Sequence, residues 1–185
     1  MSNDLDIFEL TDRAKRAQRA LATSTTAQRN GILLAISHAL VGHCEQILHA
    51  NAQDCQRAEE RGMAAGLVDR LRLDESRIRA ISSAVLDVIA LEDPVGTVIR
   101  GGRTDDGLRV TQLRVPMGVI GMIYEARPNV TVDASILCLK AGNAVILRGG
   151  SAAQNTNETL VAVIREAIGS LGFSADLVQT VDPWG

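Results

Sequence analysis

The sequence predicts an α/β fold in three stretches: amino-terminal helices, a β-hairpin, and the first half of a doubly wound parallel sheet. Three features carry that expectation. Up to about residue 92, apolar residues recur at helical spacing. At Asp93-Pro94 the pattern gives way to strand-like alternation around a Gly- and Asp-rich loop. From Val115 onward, short apolar runs alternate with helical segments, the order of parallel strands joined by crossover helices.

Taken in order, the helical stretch begins near residue 4, and Phe8, Leu10, Ala14, Ala17 and Leu21 form the apolar stripe of its first helix. A second helix is expected to carry Ile32, Leu33, Ile36, Leu40, Ile47 and Leu48, opened by the Ser/Thr run at 23–26 as a capping region. A third runs from Asp74, its expected N-cap, to Leu91, with Ile78, Ile81, Val85 and Ile89 on one face. Charged residues here fit solvated faces. Thr97-Val-Ile and Leu108–Leu113 then alternate about the loop Gly101–Gly107 and predict the hairpin.

Val119–Tyr124 is a nearly continuous apolar run, which predicts a strand buried on both faces. A helix is expected from about Thr131 to Lys140, ended by Gly142, and Ala144–Arg148 is the next buried strand. After the Gly149-Gly150 turn, Leu160, Ile164, Ala167, Ile168 and Leu171 share a helix face, with Gly172 at the C′ position. Leu177–Val181 is a third strand. Three parallel strands normally have both faces and edges covered. The sequence contains no internal repeat or low-complexity segment to supply that cover. The chain is therefore expected either to associate through this sheet or to be a piece of a longer protein, and the second is favoured.

Composition excludes several function classes. Hydrophobic residues make up 46% but aromatic residues only 2%, so the core must be aliphatic. A net charge of −3 argues against nucleic-acid binding, which needs clustered basic residues. No run approaches the roughly 18 apolar residues of a membrane span, and the acidic start fits no targeting peptide, which leaves the cytoplasm as the expected location. Cys44, Cys55 and Cys138 are expected to be free thiols. They form no metal-ligand spacing with His38, His43 and His49, so no metal site is expected.

Two glycine patterns invite a nucleotide. Gly118-Val-Ile-Gly121 sits before or inside its strand, whereas a dinucleotide fingerprint follows the strand, so glycines permitting close backbone packing are the better reading. Leu147-Arg-Gly-Gly-Ser151 falls at the carboxyl end of a strand, where open α/β sheets bind ligands. Ser151 and Gln154 have capping-box spacing, which would set a helix N-terminus beside Arg148 as a phosphate or ribose site. Alternatively Ser151 only caps and Arg148 is a surface charge.

One resemblance is specific. Val115-Pro-Met-Gly-Val-Ile-Gly-Met-Ile-Tyr-Glu-Ala-Arg-Pro-Asn-Val-Thr-Val-Asp133 and Cys138-Leu-Lys-Ala-Gly-Asn-Ala-Val-Ile-Leu-Arg-Gly-Gly150 resemble the signatures of γ-glutamyl phosphate reductases, in the aldehyde dehydrogenase superfamily. His49-Ala-Asn-Ala-Gln-Asp54, Asp69-Arg-Leu71 and Asp93-Pro-Val-Gly96 match too, so the likeness covers essentially the whole chain. The wider superfamily shares the P-x-G-V-x-G-x-I and G-N-x-V strands. The Y-E-A-R-P-N-V-T run separates the reductases from relatives that act on free aldehydes.

The resemblance implies an aldehyde dehydrogenase-like, Rossmann-like fold. Residues 1–94 would be the helical part of the cofactor-binding domain, 95–114 an oligomerisation arm, and 115–185 half of the dinucleotide-binding domain. It implies NADPH-dependent reduction of L-glutamate 5-phosphate to L-glutamate 5-semialdehyde and phosphate, in proline biosynthesis, by a homo-oligomer. The family's nucleophilic cysteine would lie beyond residue 185, leaving this chain alone inactive. Asn129 is the implied oxyanion donor. Arg148, Gly149, Gly150 and Ser151 would hold NADP, Ser151 standing where NAD-preferring relatives carry glutamate. Arg127 is either a substrate ligand or the partner of Glu125 or a nearby acid. The competing readings are a stand-alone nucleotide-binding or oligomerisation module and another aldehyde dehydrogenase.

Overall fold

The structure, a computed structural model, describes residues 7–182. Residues 4–6 of the expected first helix, and the last three residues, lie outside that range. Helix α1 (Ile7–Ala22) buries Leu10, Ala14, Ala17 and Leu21, spaced four, three and four apart. Phe8 does not join them and is 80% exposed. It lies two residues before Leu10, about 200° round the helix, and so faces away from the stripe.

The expected second helix is two. α2 (Thr26–Gly42) starts at Thr25, whose hydroxyl caps Gln28 N while the Gln28 side chain answers in a full capping box. At His43 the chain turns by 68° into α3 (Cys44–Glu60). The turn follows Gly42, a weak helix former, and sets Ile47, Ala50, Cys55 and Ala58 on a new buried face. A short helix α4 (Ala65–Leu71), not anticipated from the sequence, inserts Val68 and Leu71 beneath α3. α5 (Glu75–Ala90) is capped by Asp74 as expected and packs along α2.

Asp93 fastens the end of this stretch. Its carboxylate accepts from Thr26 Oγ1, from buried Arg29 and from Val95 N at 2.9 Å. Beyond it, β1 (Val98–Arg103) pairs antiparallel with β2 (Arg109–Leu113), with an irregularity between Val98 and Arg100. The first strand runs through Gly101-Gly102, so the turn is shorter than the sequence suggested. Every residue of both strands is exposed.

A three-stranded parallel sheet follows, in the order β3 (Val119–Ile123), β4 (Ala144–Arg148), β5 (Val178–Thr180). α6 (Pro128–Lys140) and α7 (Gln154–Ser170) are the crossovers. Both advance the same way across the sheet, so right-handed connections place them on one face, where they pack against α2. α1 crosses the strands from the other side, its Leu10 carbonyl accepting from buried Gln179 at 3.0 Å. Among the described strands of this sheet only β4 is paired on both edges. β3, expected to be buried on both faces, is an edge strand with Ile123 83% exposed. The β5 expectation was also too long, because Ala175–Leu177 forms a 3₁₀ turn, and Leu171 drops out of the α7 stripe at 47% exposed.

Gly118 and Gly121 are not packing glycines. A Cβ at either would meet open space, and Gly118 is distinguished by φ +119.

Candidate nucleotide and substrate site

The carboxyl ends of β3 and β4 converge on one edge of the sheet, with Tyr124 N bonded to Arg148 O at 3.0 Å. Beneath that edge runs a chain of hydrogen bonds whose direction can be assigned. The Asn157 amide NH₂ donates to Asp182 Oδ2 at 3.2 Å, so its oxygen must be the acceptor for Thr131 Oγ1 at 2.9 Å. That uses the single Thr131 proton, and Tyr124 Oη, 2.7 Å away, is therefore the donor to Thr131. The second Asp182 oxygen accepts from Gly149 N at 2.6 Å. Burial pushes the Tyr124 hydroxyl up to about 12, so it stays a donor across the physiological range.

This network dictates glycine at 149. A Cβ there would stand 2.2 Å from Asn157 Nδ2 and 3.1 Å from Tyr124 Oη. At Gly150 a Cβ would stand 2.7 Å from Ala126 N, a backbone atom that cannot step aside. The Gly149-Gly150 pair is thus a close-packed joint between the β4 end and the β3–α6 loop. It sets Arg148 and Ser151 on one side, and Glu125, Ala126 and Arg127 on the other.

The capping-box expectation for Ser151 fails. Ser151 opens a 3₁₀ turn (Ser151–Ala153), α7 begins only at Gln154, and no side chain of the turn caps it. The cap comes from α3. Asp54, fully buried, accepts from Asn155 N at 3.3 Å, Thr156 N at 2.8 Å and Thr156 Oγ1 at 2.7 Å, and also from Arg57. Asn51, one helical turn earlier, spends both amide protons on Leu71 O (2.9 Å) and Thr156 Oγ1 (3.2 Å), and accepts from Leu73 N at 2.7 Å. The Asn155 and Thr156 N–H groups at the start of α7 are therefore taken by a carboxylate, and a phosphate cannot also use those two. Sequence reasoning quoted this Asn-x-x-Asp segment without giving it a role. Two polar residues three apart, on a face that also carries Ile47, Ala50, Cys55 and Ala58, were the available signal.

Arg148 is half-buried and donates through Nη1 to Gly149 O at 2.8 Å. Ser151 is exposed, and its hydroxyl has no partner among the described residues. Side-chain donors thus remain at this edge without a carboxylate to consume them. Asn129 sits in the first turn of α6, which begins at Pro128, earlier than expected. It is exposed and donates to Asp133 Oδ2 at 3.2 Å. Burial holds the Asp133 carboxyl above its ordinary range, against the lowering effect of that bond. Arg127 makes no ion pair with Glu125 or any other acid among the described residues. With Glu125 and Arg70 it lines a cavity of about 330 Å³ between α4 and the β3–α6 loop.

No thiol is activated. Burial raises Cys138 to about 11, and Cys55 and Cys44 are also raised by burial first, with the Glu59 and Glu75 carboxylates respectively adding to it.

The aldehyde dehydrogenase family model matches residues 2–185. The chain belongs to that family. Membership implies a nicotinamide cofactor, and the free donors of Arg148 and Ser151 at the carboxyl edge fit the polar end of one. Among individual aldehyde dehydrogenase family members, the chain is 49% identical over 188 residues to the γ-glutamyl phosphate reductase of Leifsonia xyli subsp. xyli, covering 100% of this chain and 45% of that protein. It is 53% identical over 191 residues to the enzyme of the same name from Bifidobacterium longum subsp. infantis, covering 100% and 44%. The fold matches the crystal structure of γ-glutamyl phosphate reductase from Thermotoga maritima with a TM-score of 0.91 and 42% identity, over 95% of this chain and 42% of that one. The chain thus spans somewhat under half the length of the relatives it matches.

Proposed function

We propose that the protein to which this chain contributes reduces L-glutamate 5-phosphate to L-glutamate 5-semialdehyde and phosphate with NADPH, as a cytoplasmic step of proline biosynthesis. The observation that carries this reading is similarity at about half identity, along the whole chain, to enzymes named γ-glutamyl phosphate reductase. Along that similarity, Glu125 and Arg127 are the exposed polar residues of the β3–α6 loop, and exposed Asn129 follows at the start of α6.

On this reading residues 1–94 and 115–185 build one cofactor-binding domain, and the exposed hairpin at 95–114 is an arm that pairs with another copy. Two lone strands are marginal in water, which supports such a role. NADPH, when bound, supplies the hydride. Arg148 and Ser151 hold the adenosine ribose and its 2′-phosphate through a guanidinium and a hydroxyl. Gly149 and Gly150 keep that edge free of side chains. Asn129 presents an amide proton toward the developing oxyanion. On this reading the nucleophile lies outside this chain, in keeping with burial raising, rather than lowering, each of its three thiols.

Activity is tested in the complete enzyme by phosphate-dependent reduction of NADP with L-glutamate 5-semialdehyde. Turnover of free aldehydes with no need for phosphate would overturn the substrate assignment. Cofactor choice is tested by Ser151→Glu. A carboxylate beside the 2′-phosphate should cost about 1–3 kcal/mol, or roughly 5- to 150-fold in the NADPH/NADH ratio of kcat/KM. Because Ser151 caps nothing, the melting temperature should hold. An unchanged ratio would remove Ser151 from the cofactor site.

A further inference from the structure

We propose that the cavity between α4 and the β3–α6 loop binds the α-amino-acid head of the substrate, Arg70 and Arg127 taking its carboxylate and Glu125 its ammonium. This deepens the function proposed above and rests on it for the identity of the acyl chain.

The first support is unused charge. Around α3, α4 and α5 several arginines are committed: Arg57 to Asp54, Arg72 to Glu59, Arg77 to Asp69 and Arg79 to Glu75. Arg70 and Arg127 are not. Neither guanidinium has a hydrogen bond or ion pair among the described residues, although Glu125 lines the same cavity. Two unpaired cations that share a pocket repel each other until an anion bridges them, and a carboxylate matches the guanidinium fork.

The second support is how the loop presents its side chains. Arg127 has extended backbone angles, φ −127° and ψ 102°. Arg127 N–H donates back to Glu125 O at 2.8 Å across a tight turn at Ala126, and Glu125 and Arg127 both line the cavity. Ala126 between them is clamped against Gly150, which fixes both side chains to a rigid base. Met63, Leu71 and Ala126 supply an apolar wall suited to aliphatic carbons.

Size and place agree. A cavity of about 330 Å³ lies at the small end for ligand sites. It opens at the carboxyl edge of the sheet, and Asn129 follows Arg127 by two residues on the same helix entry. A larger cleft of about 500 Å³ at the α2–α3 bend contains His43, Cys44 and Glu75 but no cation. It lies beside Glu166, toward the other end of α7, away from the strand ends.

One set of ligands dissects the site. Backbone amide signals of the 185-residue chain are followed by NMR while L-glutamate, glutarate or 4-aminobutyrate is added. L-glutamate should shift residues 70 and 125–127 in a saturable way. Glutarate, lacking the ammonium, should bind more weakly, and 4-aminobutyrate, lacking the α-carboxylate, should shift them least. Arg70→Gln and Arg127→Gln should each weaken L-glutamate by about tenfold, the loss of one charge-assisted partner. Glu125→Gln should erase the preference for L-glutamate over glutarate. In the complete enzyme the arginine variants should raise KM for L-glutamate 5-semialdehyde more than they lower kcat. An active enzyme whose KM is untouched by both arginine variants would overturn the site and leave the proposed function standing. L-glutamate shifts at these residues in an enzyme that does not turn over the semialdehyde would do the reverse. Shifts confined to other residues, or equal binding of all three ligands, would also overturn the site.

Discussion

Replacing Asp54 with alanine should be among the most destabilising changes available in this chain, although Asp54 touches no ligand in any proposed role. The carboxylate is fully buried and receives two good bonds from Thr156, at 2.8 and 2.7 Å, and a longer one from Asn155 N at 3.3 Å. Hydrogen bonds to a buried charged group are worth about 1.5–3 kcal/mol each. Thr156 is fully buried, so its orphaned N–H has no route to water. The Arg57 arm counts for little, because its side chain is 35% exposed and can be re-solvated. The sum is about 3–5 kcal/mol, near the cost of breaking a buried charge pair from one side. For a chain of this size that corresponds to a fall in Tm of roughly 6–20 °C. Asp54→Asn keeps one acceptor oxygen but turns NH₂ toward the remaining donors, and should lose about half as much. Thermal and urea unfolding followed by far-UV circular dichroism read both variants, with Asp69→Ala, an exposed partner of Arg77, as a control expected to move stability by less than about 0.5 kcal/mol. An Asp54→Ala protein within about 1 kcal/mol of the parent would refute the assignment of Asp54 as the cap of α7.

Gly149→Ala places a methyl 2.2 Å from Asn157 Nδ2 and should cost about 1–3 kcal/mol by overpacking, a loss that Gly149→Ala/Asn157→Ala should partly return; strictly additive losses in a double-mutant cycle would count against the clash. The isolated 185-residue chain should show no semialdehyde dehydrogenase activity, and any turnover abolished by Cys138→Ser would show that a buried thiol is the nucleophile after all. The Asp93 carboxyl is raised by burial but lowered further by Thr26, Val95 and Arg29, for a net downward displacement. Its contribution is therefore present above the ordinary carboxylate range and is lost as pH falls through the folded value. Asp93→Asn should lower stability at neutral pH and flatten the acid limb of the stability–pH curve; parallel limbs would refute the linkage.

Much of the fold was legible because it rests on period and punctuation. β4 was placed to the residue, since five apolar-rich positions lie between Asn143 and a glycine pair. Asp74 and the Thr25 region were recognisable as caps from residue type alone. The errors share a cause: each needed knowledge of what lies on the far side. Ile32 to Leu48 keeps helical spacing across a 68° turn, because both halves bury their stripe, against different neighbours. The apolar run of β3 is the run of a central strand, yet among the described residues only β4 pairs with it. Hydropathy reports that a strand is meant to be covered, not by what.

The candidate site was legible only at its rim. Arg127, Asn129, Arg148 and Ser151 were found because they end strands or lie in a specific run, and the structure brings all four to one edge of the sheet. What lies beneath them went unread, because Asn51, Asp54, Asn157 and Asp182 are of residue types usually found at a surface, although all four are buried. Their burial changes how the missing glycine fingerprint is understood. A G-x-G-x-x-G turn lets a pyrophosphate reach the free N–H groups of the following helix. Here the Asn155 and Thr156 N–H groups of α7 already hold the Asp54 carboxylate, and Gly149 N holds Asp182. Among the described residues, the Asn155, Thr156 and Gly149 N–H groups behind β4 are thus not open to a pyrophosphate. On the proposed reading, anion recognition at this edge falls instead to side-chain donors with no partner among the described residues, the Ser151 hydroxyl and the two guanidiniums of the adjoining cavity, and to the remaining Arg148 donors.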